Sequence, residues 1–382
     1  MKYSCQRPFP IFMLKSLAVS NNLLTFAALW VSATSIPTPT SVSDVLKQKN
    51  MINMRRFFIL WCFALLAIVT VNAQQIAVVK GDVTSVYQTL AEAIDGAESG
   101  SFIYLPGGSF PISDEVKITK NLVIIGIGHN AESDNADGRT QIAGNLWFNE
   151  GSSGCAVMSC YINGDVIIGD GGAQVDNVLL RYCNMNGLQV KNSTCLGTTL
   201  DQNYVRKTAT FNGAPGNVTN NIIHRILSLN GGCVSYNIIT SNDTNTNGNL
   251  PSEALGASNA IIKNNVLFME PGSGYGWSKS IHSGGNCQIT NNMVKSNFGN
   301  NCIVIKDSWS EVFENNAGVS ITSNYHFKEA YKEYEGKIGI YADKGFSDSA
   351  LPPVPYITEK EIPEQTDASG KLNIKIKVKA GE

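Results

Sequence analysis

From Val157 to Asn316 the chain repeats one short hydrophobic and polar pattern: an apolar residue, a polar one, a turn residue, an anchor, then two apolar residues. It is plainest at Val218-Thr219-Asn220-Asn221-Ile222-Ile223 and returns at Val234-Ser235-Tyr236-Asn237-Ile238-Ile239, Ile262-Lys263-Asn264-Asn265-Val266-Leu267 and Ile289-Thr290-Asn291-Asn292-Met293-Val294. Looser copies have anchors at Asn203 and Asn316, with cysteine in the anchor place at Cys160 and Cys183. Successive anchors lie between 16 and 28 residues apart. The apolar column three positions before the anchor (Val157, Leu180, Leu200, Val218, Val234, Ile262, Ile289, Phe313) is followed by a mostly polar one, from Met158 and Arg181 to Thr290 and Glu314. That alternation is the period of a strand, and a repeat near twenty residues without helical period predicts stacked strands of a parallel β-helix. The anchor Asn fits a tight left-handed turn, and its amide can bond the identical amide one repeat away.

Before the repeat, Ser85-Val86-Tyr87-Gln88 carries a capping-box spacing, and Val86, Leu90, Ala93, Ile94 and Ala97 share one helical face. A helix there is expected to cap the open end of the stack. After the repeat, Phe327 to Tyr334 suits a short helix, and Leu351-Pro352-Pro353-Val354-Pro355 a stiff linker. Leu372, Ile374, Ile376 and Val378 alternate with Lys371, Lys375, Lys377 and Lys379, an amphipathic strand with an edge-guarding or basic targeting role.

The N-terminal residues follow a different pattern. Residues 1–53 show no domain. Met54-Arg55-Arg56 opens a secretion signal: Phe57 to Val71 is almost wholly apolar, and Val71-Asn72-Ala73 offers a small-residue cleavage site. Met54 is expected to be the natural start, with a true N-terminal anchor as the alternative. The expected organisation is 1–53 upstream extension, 54–73 signal peptide, 74–327 parallel β-helix with N-terminal cap, and 328–382 C-terminal cap and tail. The mature chain is then secreted, to the periplasm, cell surface or medium, and the apolar run is too short for stable membrane insertion.

Charge and composition narrow the partners. A net charge of −2 leaves no electrostatic footprint for nucleic acid, and 16% charged residues with abundant glycine suit a turn-rich β protein. The cysteines from Cys155 to Cys302 are odd in number and scattered, resembling neither a disulfide framework nor a zinc site. Most are expected in the stack interior, with Cys160 and Cys183 on adjacent repeats. Gly126-Ile127-Gly128 is a turn, lacking the third glycine and the helix of a dinucleotide site. Residues 132–138 are acidic enough for calcium but lack the distal Glu, so no cofactor is expected, with calcium there as the minority alternative.

The early stretch Ile103-Tyr104-Leu105-Pro106-Gly107-Gly108-Ser109-Phe110, then Lys120-Asn121-Leu122-Val123-Ile124-Ile125-Gly126 and the Asn repeats, resemble the right-handed parallel β-helix proteins of the pectate-lyase-like superfamily. The tail from Pro353 resembles those of secreted β-helix proteins of Bacteroidetes. The resemblance implies an all-β right-handed solenoid acting on polysaccharide, by lyase or hydrolase chemistry. The lyase and polygalacturonase signatures of that superfamily are absent, which leaves catalysis open and brings in the alternative of a non-catalytic surface, adhesive or structural protein.

Two places break the plain pattern. Positions three and four beyond the anchors at 203 and 221 should stack Arg206 on His224 and Lys207 on Arg225, a basic cluster suited to an anion and the candidate catalytic set; side chains splaying into solvent is the alternative. The longest intervals place loops 241–258 and 270–285 side by side, with Tyr275, Trp277 and His282 on one and Glu253 on the other. Aromatic and polar groups together suit a sugar, so these four are the candidate polysaccharide contacts, against the alternative that Trp277 only covers its own repeat.

Overall fold

The computed structural model describes residues 75–130, 138–241, 253–268, 279–295, 302–315, 324–343, 345–346, 355–361, 371 and 374–379. The expectations for residues 1–73, the acidic stretch 132–137, Tyr275, Trp277, Asn316 and the linker 351–354 lie outside the described residues.

The described chain is all-β in character and dominated by parallel pairing. Each repeat contributes one strand to each of three ladders, because a short strand can hydrogen-bond only to the strand one repeat before and one after. The first ladder carries the inward row Ile103, Ile124, Val157, Leu180, Leu200, Val218, Val234, Ile262 and Ile289, each paired with the next. All but Ile289 are fully or almost fully buried. The second ladder carries Phe110, Ile142, Ile162, Met185, Val205, Ile223, Ile239 and Leu267 inward. The third carries Leu146, Val166, Leu188, Ala209, Ile226, Leu255 and Ile281. The three rows meet in one apolar core.

The turn between the first and second ladders explains the anchor. The left-handed residue is the one before it: Ser159, Tyr182, Gln202, Asn220, Tyr236, Asn264 and Asn291 all have φ between 52° and 60°. The expectation that the anchor itself takes this conformation is therefore corrected. The anchor turns inward instead, fully buried at Asn203, Asn221, Asn237, Asn265 and Asn292. Each Nδ2 from Asn203 to Asn265 donates to the next anchor's Oδ1, at 3.1, 3.0, 2.8 and 2.9 Å in order. Each also donates to a backbone carbonyl of the preceding repeat, as from Asn221 to Leu200 O at 3.0 Å. A buried amide is tolerable only when satisfied, and this column satisfies itself. A second, exposed column, Asn286 to Asn259 to Asn230, lies elsewhere on the surface.

The N-terminal end differs from expectation. Val83–Tyr87 is a strand paired antiparallel with Ile76–Lys80, and Val86 is 54% exposed. Its β-branched and aromatic residues favour the strand over the helix suggested by the Ser85 spacing. The helix is Leu90–Gly96, opened by a capping box of Thr89 and Glu92, with Leu90, Ala93 and Ile94 buried as expected. Lys120 Nζ caps its far end, donating to the carbonyls of Asp95 and Ala97 at 2.6 and 2.9 Å. The first edge of the stack is closed by Ile76–Lys80 pairing antiparallel with Ser101–Tyr104.

At the other end the anchor pattern stops earlier than expected. Phe313–Asn315 pairs antiparallel with Asn324–Phe327, so Phe313 leaves the first ladder's row. It joins a second core with Phe268, Trp309, Tyr325 and Phe327, including Phe268–Trp309 stacked at 4.5 Å and Phe313–Phe327 at 4.9 Å. This core lies on the outward row Ile222, Ile238, Val266 and Met293 of the second ladder. The doubled apolar residues after each later anchor are thereby explained: one faces the interior, the other the C-terminal segment. Asn220 Nδ2 holds that segment through the carbonyls of Ile340 and Ala342, at 2.9 and 2.7 Å. Glu329–Tyr334 forms a short 3-10 helix. The expected tail strand is Lys375–Lys379, paired with Tyr356–Glu361; its lysines meet Glu361 and Glu359 at 3.0 and 2.8 Å. Among the described residues no helix is long and apolar enough to cross a membrane.

Candidate functional site

The expected stacking of Lys207 on Arg225 does not occur. The pairing of Tyr204–Thr210 with Ile222–Ser235 shifts register between Val205 and Thr208, so Thr208, and not Lys207, pairs with Arg225. Arg206 and Lys207 together stand opposite the single residue His224 at this bulge. Arg206 folds back along the second ladder: its Nη1 donates to Asn184 Oδ1 at 2.8 Å, and its Nη2 to the carbonyls of Ile162 and Asn163 at 3.1 Å each. Lys207 is exposed at the third ladder, and Arg225 Nη2 donates to Ser241 Oγ at 3.2 Å.

Of the expected sugar contacts, two are described, and both stand on the third ladder. Gly256 pairs with His282. The Glu253 carboxylate folds over Gly256, where an added Cβ would lie 2.6 Å from Oε1. His282 Nδ1 is buried and lacks a hydrogen-bond partner among the described residues.

The third ladder's outward row runs Lys117, Trp147, Ile167, Gln189, Thr210 and Leu227, and resumes past a second bulge at Gly256 and His282. At its start Lys117 Nζ sits 3.3 Å over the Trp147 ring, and Trp147 Nε1 donates to Asp114 Oδ1 at 3.1 Å. Asn145 Nδ2 donates to the same oxygen at 2.9 Å. These two donors hold the Asp114 carboxyl below its ordinary pKa, so it is charged at neutral pH. One repeat on, Asp165 accepts from Asn186 Nδ2 at 2.7 Å on one oxygen and from Gln189 Nε2 at 2.8 Å on the other. Asp165, Asn186, Gln189, Lys191, Lys207 and Thr208 line part of a shallow groove of about 340 Å³.

Trp147, Asp114, Asp165 and Gln189 were not singled out from the sequence. Their signal is a second repeat: Gly144-Asn145-Leu146-Trp147-Phe148, Gly164-Asp165-Val166-Ile167-Ile168 and Asn186-Gly187-Leu188-Gln189-Val190 align in the third ladder. Glycine is required at 164, where a Cβ would meet the Gly144 carbonyl at 2.5 Å.

The cysteines are free thiols in the described structure, with Cys155, Cys160, Cys183 and Cys195 buried as expected. Burial pushes the Cys183 thiol up to about 12 and Cys160 well above its ordinary value, which removes them as nucleophiles. Among the described residues no group of three or more His, Cys, Asp or Glu is placed to hold a metal ion.

Comparison with protein-family models, with curated proteins and with solved structures found no match to this chain.

Proposed function

We propose that the chain is a secreted right-handed parallel β-helix protein of the pectate-lyase-like kind, which binds an extended polysaccharide along the outward face of its third ladder. The observation that carries this reading is a set of polar groups beside one aromatic platform: Trp147 braced by Asp114 and Lys117, then Asp165 with Asn186 and Gln189, then Lys207, with Ile167 and Leu227 as the apolar members of the outward row. A sugar presents an apolar ring face and a hydroxyl edge, and such a row offers a partner to each. Glu253 and His282 extend the same face.

Binding without cleavage is the reading favoured over lyase or hydrolase action. Asp165 uses both oxygens to fix its neighbours, a positioning role that a free general base would not have. A panel of neutral and acidic glycans, assayed for binding and for unsaturated, ultraviolet-absorbing ends, tests both parts. Binding without new ends supports the proposal; new ends lost on Asp165→Asn would establish cleavage; no binding to any glycan sinks the polysaccharide reading.

A further inference from the structure

The second ladder's outward face carries a group of cations that the third-ladder groove does not use. Arg139 and Arg206 place their guanidinium carbons 4.2 and 4.6 Å from the centroid of the same ring, Tyr161. Arg139 comes from the start of the preceding strand of this ladder, and Arg206 reaches back from two repeats beyond. All three side chains are half-buried, so the ring and its two cations are fixed yet open to solvent.

Their hydrogen bonds leave donors to spare. Arg139 makes one side-chain bond, Nη2 to Gln141 Oε1 at 2.8 Å. Arg206 commits one Nη1 hydrogen to Asn184 and its Nη2 to two carbonyls, leaving Nε–H and the other Nη1 hydrogen. Every one of these acceptors is neutral, and no carboxylate among the described residues pairs with either guanidinium. Two cations held beside one ring, with no countercharge among the described residues, repel each other, and an anion at the ring edge relieves this. With the guanidinium carbons 4.2 and 4.6 Å from one ring centroid, an anion beside the ring can be reached by donors from two side chains. A planar carboxylate is satisfied by a single fork, whereas a tetrahedral oxyanion offers oxygens to both.

We propose that Arg139, Tyr161 and Arg206 form a binding site for a sulfate ester carried on a polysaccharide, separate from the third-ladder groove. The choice of a polysaccharide as carrier rests on the proposed function; the preference for a tetrahedral oxyanion rests on the arginines alone. The whole chain has a net charge of only −2, so diffuse attraction to polyanions is not available and any such binding must be local.

Calorimetry on the full chain with dextran sulfate, unmodified dextran, polygalacturonate and sodium sulfate tests this. Arg206→Gln removes caps from two carbonyls and can disturb folding, so Arg139→Gln and Arg139→Lys carry the test, each checked for an unchanged melting temperature. Dextran sulfate is expected to bind the parent, to bind Arg139→Gln about tenfold more weakly, and to be only partly restored by Arg139→Lys, which keeps charge but loses the fork. Unaltered dextran sulfate affinity in Arg139→Gln overturns the site. An equal loss for polygalacturonate overturns the sulfate preference, and sodium sulfate binding as tightly as the polymer overturns the polymer as ligand. Trp147→Ala separates the two proposals: loss of neutral glycans with intact dextran sulfate binding is a property of the groove, and the reverse pattern in Arg139→Gln is a property of this site.

Discussion

Asn237 donates twice to a single atom of Asn265: its backbone N–H and its side-chain Nδ2 both reach Asn265 Oδ1, at 3.0 and 2.8 Å. Asn221 does the same to Asn237, at 2.9 and 3.0 Å. Removing one such amide strands donors above it and leaves its own backbone contacts short. Asn221→Ala is expected to cost about 1–3 kcal/mol, measured by denaturant unfolding. Asn230→Ala, at the end of the exposed column, is expected to stay within ~0.5 kcal/mol of the parent. Equal effects at the two positions would show that burial is not what gives the inner column its weight.

His129 is buried, and desolvation lowers its pKa to about 4, with a backbone hydrogen bond opposing the shift and the charge of Arg139 adding to it. The unfolded chain therefore takes up this proton first as pH falls. Its contribution is fully present above pH ~6.5 and is lost as pH drops from there to about 4, a decline of roughly 3 kcal/mol in total. Unfolding free energy followed across that interval should show the decline, and His129→Gln should flatten it. A parent and variant with the same pH slope would show that His129 titrates normally.

Trp147 is half-buried, with its indole N–H committed to Asp114 and one ring face under Lys117. Trp147→Ala is expected to weaken glycan binding by about 1–3 kcal/mol in titration calorimetry. The melting temperature should change little, because the residue stands outside the main core. A large drop in melting temperature with unchanged affinity would mean that the indole packs and does not bind.

Thiol accessibility should divide by position. Cys160 and Cys183 are fully buried, and burial holds both thiols far above neutral pH. A thiol-reactive probe at pH 8 is expected to label neither until the chain unfolds, while Cys233 and Cys287, which are partly exposed, react earlier. Labelling of Cys183 in native buffer at the rate of Cys233 would contradict the stacked interior.

The stacking was legible because it rests on identical demands repeated at each level. An inward Val, Leu or Ile three places before each anchor, from Val157 to Ile262, needs no partner other than its own copies. The chemistry was less legible because it depends on register. A single extra residue near Arg206 sent that side chain to one ladder and left Lys207 at another, which spacing from the anchors could not reveal. The same holds at the N-terminal end, where Ser85 and Thr89 both offer a capping pattern and only pairing with Ile76–Lys80 decides between them. Trp147 escaped notice because it belongs to the alternation after Gly144, a rhythm that carries no asparagine anchor to mark it.

The inner amide column also bears on how such a chain changes length over evolutionary time. Every anchor asks only for an identical group beneath it and offers one above, so the column contains no information about how many members it should have. Duplicating or excising one whole unit would rejoin like to like, with the new neighbours indistinguishable from the old. At the low-numbered end the column stops because Cys183 lends its backbone N–H to Asn203 Oδ1 but has no amide to pass on. Such a protein can be lengthened or shortened by genetic copying, while a change of one residue inside a strand, which turns its inward side chains outward, is the alteration it tolerates least.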